Sequence, residues 1–439
     1  MKFHFKKNTL AAHMYISSCA IEEVLKGYSL TLYLDNMDYE FRSAVQDLSF
    51  HAMRYLGWAD CVGKYLLRNY PNKLFESLLL LSLTLLKFSS EKEFTNNIPI
   101  YKEFTIVNES CNVANTIPIL RPYKGLLNAI LRRFLREKDN INSYFRKDLK
   151  AVWNYQEWWI DKVQKCYPLQ WQSILSCANT QSPLILRVNK RNINREKVLE
   201  EFASSNIEAK SFGESGILLY KSRSIKDMPG FDEGWWSVQD SGAQLAIPLL
   251  QIQDGMRVLD ACAAPGGKTS HLLELADVKL LALDSNKIRL NRLQANLERL
   301  KLNSSNTRFL VADAGSLNQW WDGVMFNVVI ADVPCTASGI VRKHPDIRWL
   351  RKYSDIQKSV LLQKRILESL WKTVVSGGLL LYVTCSIFPE ECIFQALSFL
   401  ERHQDAIFLD SHNQILPNKS QNELFVDNDG FFFALFKKK

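Results

Sequence analysis

Asp260-Ala261-Cys262-Ala263-Ala264-Pro265-Gly266-Gly267-Lys268-Thr269 joins a run of buried-strand character, residues 256–261, to a run of helical spacing that starts at Thr269. A strand, a glycine-rich turn and a helix start, in that order, aim backbone N–H groups at a ligand. A phosphate-binding loop of the Gly-x-x-x-x-Gly-Lys-Ser/Thr type fits at Gly267-Lys268-Thr269, but needs glycine where Cys262 stands. The dinucleotide pattern Gly-x-Gly-x-x-Gly is absent.

Working outward, strand-like and helix-like runs alternate. Residues 280–283, 308–311, 328–331, 379–383 and 431–436 read as strands, and residues 287–300, 357–375 and 392–402 as helices. This alternation predicts a mostly parallel sheet covered by helices on both faces. The second strand ends at Asp284, where a carboxylate can accept hydrogen bonds from ribose hydroxyls. Asp313 follows the third strand, in position to meet an adenine amino group, and Asp332 ends the fourth. Loop and acids all fall at carboxyl ends of strands, where open α/β sheets bind ligands. Together they favour the loop class that holds S-adenosyl-L-methionine (SAM) in Rossmann-like methyltransferases.

Two cysteines lie on the same rim. Asp332-Val333-Pro334-Cys335 follows the fourth strand, and Tyr382-Val383-Thr384-Cys385-Ser386 closes a later one. Most cysteines are small buried hydrophobes, but a thiolate at a strand end is a nucleophile, and Lys268 or backbone N–H groups would lower its pKa. A thiolate beside SAM suggests methylation of cytosine carbon 5. That carbon is a poor nucleophile until a cysteine adds to carbon 6. One cysteine suffices for attack, so the second is expected to assist release of the adduct.

The rest of the chain bounds the setting. The 439 residues are 47% hydrophobic and 23% charged, which excludes disorder as the main state. Residues 8–137 carry apolar residues at helical spacing, with Gly27 and Gly57 as expected helix stops. Residues 150–180 continue helical, and residues 183–234 form a small α+β piece. Lys+Arg 55 against Asp+Glu 46 gives +9, of which +6 lies in residues 1–150, with 21 basic and 15 acidic residues. That excess permits a polyanionic partner. Arg132, Arg133, Arg136 and Lys138 on one helix, and Arg342, Lys343, Arg348, Arg351 and Lys352 after Cys335, are candidate phosphate contacts. The nine cysteines are odd in number and contain no Cys-x-x-Cys pair, so reduced thiols and no structural metal are expected. The N-terminus lacks the apolar core of a signal peptide, and the most apolar run, residues 78–86, is far short of the ~20 residues a membrane span needs. A cytoplasmic protein is expected.

The catalytic motifs resemble the RNA 5-methylcytosine methyltransferases of the nucleolar-protein/Sun family. The match runs through Asp260 to Thr269, Asp332-Val333-Pro334-Cys335-Thr336-Ala337-Ser338-Gly339, Arg342 to Leu350, Thr384-Cys385-Ser386 and Asp429-Gly430-Phe431-Phe432. Gly125-Leu126-Leu127-Asn128-Ala129-Ile130-Leu131-Arg132-Arg133-Phe134 is similar to the NusB-like helical domain of the bacterial small-subunit branch. The resemblance implies three parts: an all-α NusB-like RNA-binding domain (1–145), a helical linker with a small α+β RNA-binding domain (146–236), and a Rossmann-like class I SAM methyltransferase domain (237–439). It also implies Cys385 as nucleophile and Cys335 as the release cysteine. Cys262, Ala263, Ala264, Pro265, Gly266, Gly267, Lys268, Asp284, Asp313 and Asp332 would hold SAM, and the substrate would be an unpaired or flipped cytosine of 16S rRNA. The family pattern places an arginine after Asp313-Ala314, where this sequence has Gly315-Ser316, and the stretch from residue 90 to 99 also departs from it. Two alternatives stand beside this reading: the same catalyst acting on tRNA, and an RNA-binding assembly factor with an inactive methyltransferase domain.

Overall fold

The computed structural model describes residues 5–6, 8–89, 100–221, 223–409, 414–418 and 427–439. The divergent stretch 90–99 therefore lies outside the described residues. The chain divides into two compact units, Met1–Gln181 with Val341–Lys352, and Ser182–Ile340 with Tyr353–Lys439.

The first unit is helical. Its centre is Lys73–Phe88, apolar on every face and buried on nearly every side. Asn72 caps it, accepting from the Phe75 N–H at 2.8 Å. Its interior hydroxyls turn inward, as where Ser82 Oγ donates to Leu78 O at 2.7 Å and meets Ser110 Oγ at 2.8 Å. Helices Leu10–Leu25, Tyr39–Arg54, Leu56–Leu66, Glu103–Thr116 and Lys124–Tyr144 share this core. Gly27 follows the first helix at φ +102°, as a helix stop should. Gly57 instead lies inside Leu56–Leu66. A Cβ there would come within 2.5 Å of Lys150 O and 2.8 Å of Asn154 Cα, so this glycine permits close packing and stops nothing.

Val341–Lys352 belongs to this unit although it follows the Cys335 loop in sequence. Its Asp346 carboxylate accepts from the Leu30 N–H at 3.0 Å, and Trp349 Nε1 donates to Met53 O at 2.8 Å. Arg348 is fully buried, donates to Asn154 O at 3.2 Å and Ala178 O at 2.7 Å, and lies 4.2 Å from the centre of the Tyr155 ring. Arg342 is also buried and donates to Gln181 O at 2.9 Å. The phosphate role expected for these two arginines is therefore wrong: they satisfy backbone carbonyls inside the protein. Lys352 is exposed, as are Arg132 and Arg136 on Lys124–Tyr144, whereas Lys138 reaches back to Leu86 O at 3.1 Å.

The second unit holds two sheets. Strands β1 (Leu184–Val188), β2 (Ala209–Phe212), β3 (Gly216–Leu219) and β4 (Trp236–Val238) form an antiparallel sheet in the order β2-β3-β1-β4. Helix Arg195–Ser204 covers it through Val198 and Phe202. The larger sheet contains β5 (Arg257–Asp260), β6 (Lys279–Asp284), β7 (Thr307–Val311), β8 (Phe326–Asp332), β9 (Val374–Thr384), β10 (Ala406–Leu409), β11 (Gln414–Ile415) and β12 (Phe431–Lys438). Its order is β10-β12-β9-β8-β5-β6-β7, with β11 also on β12. From β7 to β9 all pairs are parallel, and β12 is antiparallel to β9. The helix expected to run to residue 375 ends at Trp371. The β-branched pair Val374-Val375 already belongs to β9, which carries Gly377 at φ +77°.

Arg187 on β1 joins the small sheet to the large one. It is fully buried and forms a two-pronged pair with Glu274, at 2.8 Å for each nitrogen. It also donates to Gly267 O at 2.9 Å, Ser270 Oγ at 2.8 Å and Gln239 Oε1. Glu274, Ser270 and Gly267 all lie on helix Gly267–Leu275, so this guanidinium steadies the helix that follows the glycine-rich loop.

Candidate active site

The strand order reverses at β5, which has β6 on one side and β8 on the other. Such a switch point opens a crevice at the carboxyl ends of the strands. The glycine-rich loop follows β5, Asp284 ends β6, Asp332 ends β8, and Cys385 follows β9.

The loop is shaped by Gly266, at φ +103°, which caps helix Gly267–Leu275. A Cβ there would come 2.8 Å from Leu293 Cγ, so the turn requires glycine for both conformation and space. Asp260 accepts from Thr269 Oγ1 at 2.7 Å, which ties the end of β5 to the first turn of the helix. Its other oxygen has no partner, and burial pushes its pKa up to about 7. Cys262 is one of the loop residues, and burial raises its thiol pKa far above the ordinary value.

The strand-end acids have distinct surroundings. Asp284 is buried and accepts from Asn286 N at 2.8 Å and Ala264 N at 3.2 Å, with Arg289 Nη1 3.9 Å away. Arg289 also donates to Ala264 O, so it grips both the acid and the loop. Asp313 forms a two-pronged pair with Arg365 at 2.8 and 3.2 Å. The Arg365 guanidinium, against a smaller burial effect and with help from Gly315 N–H, holds the Asp313 carboxyl below its usual range. Arg365 lies on helix Tyr353–Trp371. Asp332 pairs with Lys268 at 2.7 Å. Burial pulls the Lys268 pKa down, but Asp332 outweighs it, with a smaller contribution from Cys385, and the ammonium is held above its ordinary value.

The two cysteines meet. Cys335 Sγ and Cys385 Sγ are 3.4 Å apart, and both residues are half-buried. The Cys335 thiol is pushed well up by its contact with Cys385 and then by burial; a backbone hydrogen bond from Ala337 lowers it, as expected of backbone donors, but is outweighed. Their loops are laced together: Gly339 N donates to Cys385 O at 2.9 Å, Ile387 N donates to Ser338 Oγ at 2.9 Å, and Gly430 N donates to Gly339 O at 2.8 Å. Glu391, which sequence reading passed over, is fully buried between them. It accepts from Thr336 N at 2.8 Å, Thr336 Oγ1 at 2.5 Å, Ser386 Oγ at 2.6 Å and Gln363 Nε2 at 3.3 Å. Its partners lie up to 55 positions away, and its one sequence cue is proximity to Cys385.

A glycine loop at a switch point, buried strand-end acids and a thiol pair make up a methyltransferase crevice. A family model described as 16S rRNA methyltransferase RsmB/F matches residues 247–437, and one for the ferredoxin-like domain of RsmF/B-like methyltransferases matches residues 155–226. Ribosomal RNA small subunit methyltransferase B of Serratia proteamaculans is 34% identical over 431 residues, covering 95% of this chain and 97% of its own. The chain belongs to the 16S rRNA methyltransferase RsmB/F family. The enzyme of the same name from Vibrio vulnificus is also 34% identical, over 94% of this chain and 96% of its own. The crystal structure of PH0851 superposes with a TM-score of 0.78 at 23% identity, covering 99% of this chain and 100% of that one, and so shares the fold. The RsmB/F-type chain is thus an RNA methyltransferase, and its cofactor is SAM. Among the described residues no helix is long and apolar enough to cross a membrane, and no group of three His, Cys, Asp or Glu side chains is set to hold a metal ion.

Proposed function

We propose that this protein methylates carbon 5 of an unpaired or flipped cytosine in 16S rRNA through a covalent cysteine adduct. The observation that carries the reading is the 3.4 Å approach of Cys335 and Cys385 on the rim that also bears the glycine-rich loop. Bound SAM supplies an electrophilic methyl group on sulfur. Residues Cys262 to Lys268 and the acids Asp284, Asp313 and Asp332 would hold it, and Asp284 would accept from its hydroxyl groups. The left-handed Gly266, the free N–H groups at the start of helix Gly267–Leu275 and the unpartnered oxygen of Asp260 suit a ligand with both cationic and hydroxyl groups.

The Cys385 thiolate adds to carbon 6, forming a carbon–sulfur bond and making carbon 5 the nucleophile. After methylation the carbon-5 proton passes to water. Its electron pair re-forms the ring double bond, and the carbon–sulfur bond breaks with its pair on sulfur. Cys335 assists that breakage. Lys268, paired with Asp332, is close enough to feel Cys385. The helical unit, with its exposed Arg132 and Arg136, and the small β1–β4 sheet are assigned to RNA binding, because extruding a base needs a grip on the strand around it.

Cysteine replacement tests the assignment. Cys385→Ala should abolish methylation and form no adduct. Cys335→Ala should methylate once and stall as a protein–RNA complex that survives denaturing electrophoresis. The opposite pattern would reverse the roles, and full activity of both variants would refute the mechanism. Bisulfite sequencing of total RNA from cells lacking the protein should show a lost methylated cytosine in 16S rRNA and none in tRNA.

A further inference from the structure

One carboxylate reaches both thiol loops. Thr336 follows Cys335 and Ser386 follows Cys385, and both hydroxyls donate to Oε2 of Glu391. The Thr336 N–H and Gln363 Nε2 donate to Oε1. Gln363 also donates to Pro334 O at 3.0 Å, immediately before Cys335. Tyr382 Oη lies 2.7 Å from the main-chain carbonyl oxygen of Glu391 and 3.0 Å from Gln363 Oε1, sharing its one proton between them, so β9 holds the group from behind. Four donors converge on the carboxylate and favour its ionised form, which accepts from all of them, against burial, which is the larger effect and raises the Glu391 pKa above its ordinary value. A shift of either loop breaks at least one of these bonds.

We propose that Glu391 is the positioning residue of the cysteine pair: it clamps the two thiol loops in register, and its charge keeps Cys335 protonated while the other sulfur works. The proposal rests on the cytosine-C5 reading. Two thiolates 3.4 Å apart would repel, whereas a protonated Cys335 donates a hydrogen bond to the Cys385 sulfur as it leaves carbon 6 with its electron pair. The negative charge of Glu391 acts in that direction on Cys335, behind the larger effects of the neighbouring sulfur and of burial. Other charges facing the pair are Lys268 and Asp332, which neutralise each other.

The test uses the full chain with Glu391→Gln and Glu391→Asp. The first readout is the pH dependence of iodoacetamide labelling at Cys335, followed by mass spectrometry of its peptide and needing no RNA. Loss of the charge in Glu391→Gln should move the Cys335 labelling curve about half a pH unit or more toward acid, and Glu391→Asp should leave it near wild type. The second readout is steady-state methylation of transcribed 16S rRNA. In Glu391→Gln, kcat should fall about tenfold or more with KM for SAM within about twofold, as expected when a group acts after binding. Coincident labelling curves in all three proteins, or an unchanged kcat, would overturn the proposal. Should Glu391→Gln fail to fold, Thr336→Val removes one donor and keeps the charge. It should lower kcat without moving KM for SAM, and an unchanged kcat would again overturn the clamp. If Cys335→Ala formed no covalent RNA adduct, the cytosine reading would fall, while the labelling curves would still decide whether Glu391 controls Cys335.

Discussion

Replacing Arg187 by methionine should destabilise the second unit more than any single surface change. The guanidinium is fully buried, and its loss strands the Glu274 carboxylate, which is itself 7% exposed. Breaking such a pair costs about 3–5 kcal/mol, mostly because a charge is left in a poor solvent, whereas replacing both partners by apolar groups is often neutral or better. Here the double variant Arg187→Met/Glu274→Met should recover most of the loss. Recovery stays incomplete because Gln239, Ser270 and the Gly267 carbonyl also lose a donor. The pH dependence gives a second handle. Burial already raises the Glu274 pKa above its ordinary value, against the pull of Arg187, and removing Arg187 raises it further. An acid whose folded pKa is raised contributes stability that is complete below its unfolded pKa and is lost as pH rises through the folded one. The single variant should therefore fall further behind wild type at pH 8 than at pH 5, and the double variant should show no such trend. Urea unfolding followed by tryptophan fluorescence at both pH values measures this. A single variant within about 1 kcal/mol of wild type at pH 8, or a double variant no better than the single, would refute the reasoning.

Asp284→Ala should weaken SAM binding by ~1–3 kcal/mol in calorimetric titration, the usual cost of lost charged hydrogen bonds, and an unchanged affinity would remove Asp284 from the site. Asp260, with a pKa of about 7 against the ordinary 3.8, contributes stability that is complete below pH 4 and is lost toward pH 7 and above, so Asp260→Asn should gain on wild type as pH rises across that window in thermal melts. Gly57→Val should unfold the helical unit at lower temperature by calorimetry, because its side chain would meet Lys150 and Asn154 backbone closer than 3 Å. RNA affinity should fall by ~0.7 log units per log unit of salt for each phosphate neutralised, and charge reversal at Arg132 and Arg136 should flatten that slope in filter binding.

What the sequence disclosed depended on how local the cause was. The glycine-rich turn, the alternation of strands and helices and the buried Lys73–Phe88 helix are written in neighbouring residues, and the structure contains all three. Antiparallel β10 and β11 depend on pairing with β12 from the chain's last residues, and the sequence reading missed them. Arg342 and Arg348, two of the five basic residues after Cys335, defeat the sequence reading for the same reason. An arginine list does not tell which guanidinium faces water, and Arg348 meets its carbonyl partners 170 and 194 positions away. Arg365 and Glu391 were invisible as site residues because what distinguishes them is the partner each finds across the fold.

Val341–Lys352 also bears on how the chain is made. Residues emerge from the ribosome in order, and domains usually close as soon as their last residue is out. The helical unit cannot do so, because Arg348, Trp349 and Asp346 arrive only after most of the neighbouring unit has been synthesised. At ~5–20 residues per second the delay is on the order of ten to thirty seconds. During that time Met53, Asn154 and Ala178 wait without their partners, so the first unit to be born is completed only after much of the second. A fragment cut after residue 181 would remain in that waiting state permanently, and a methyltransferase fragment begun at residue 182 would carry Ile347 and two buried-type arginines with no socket to enter.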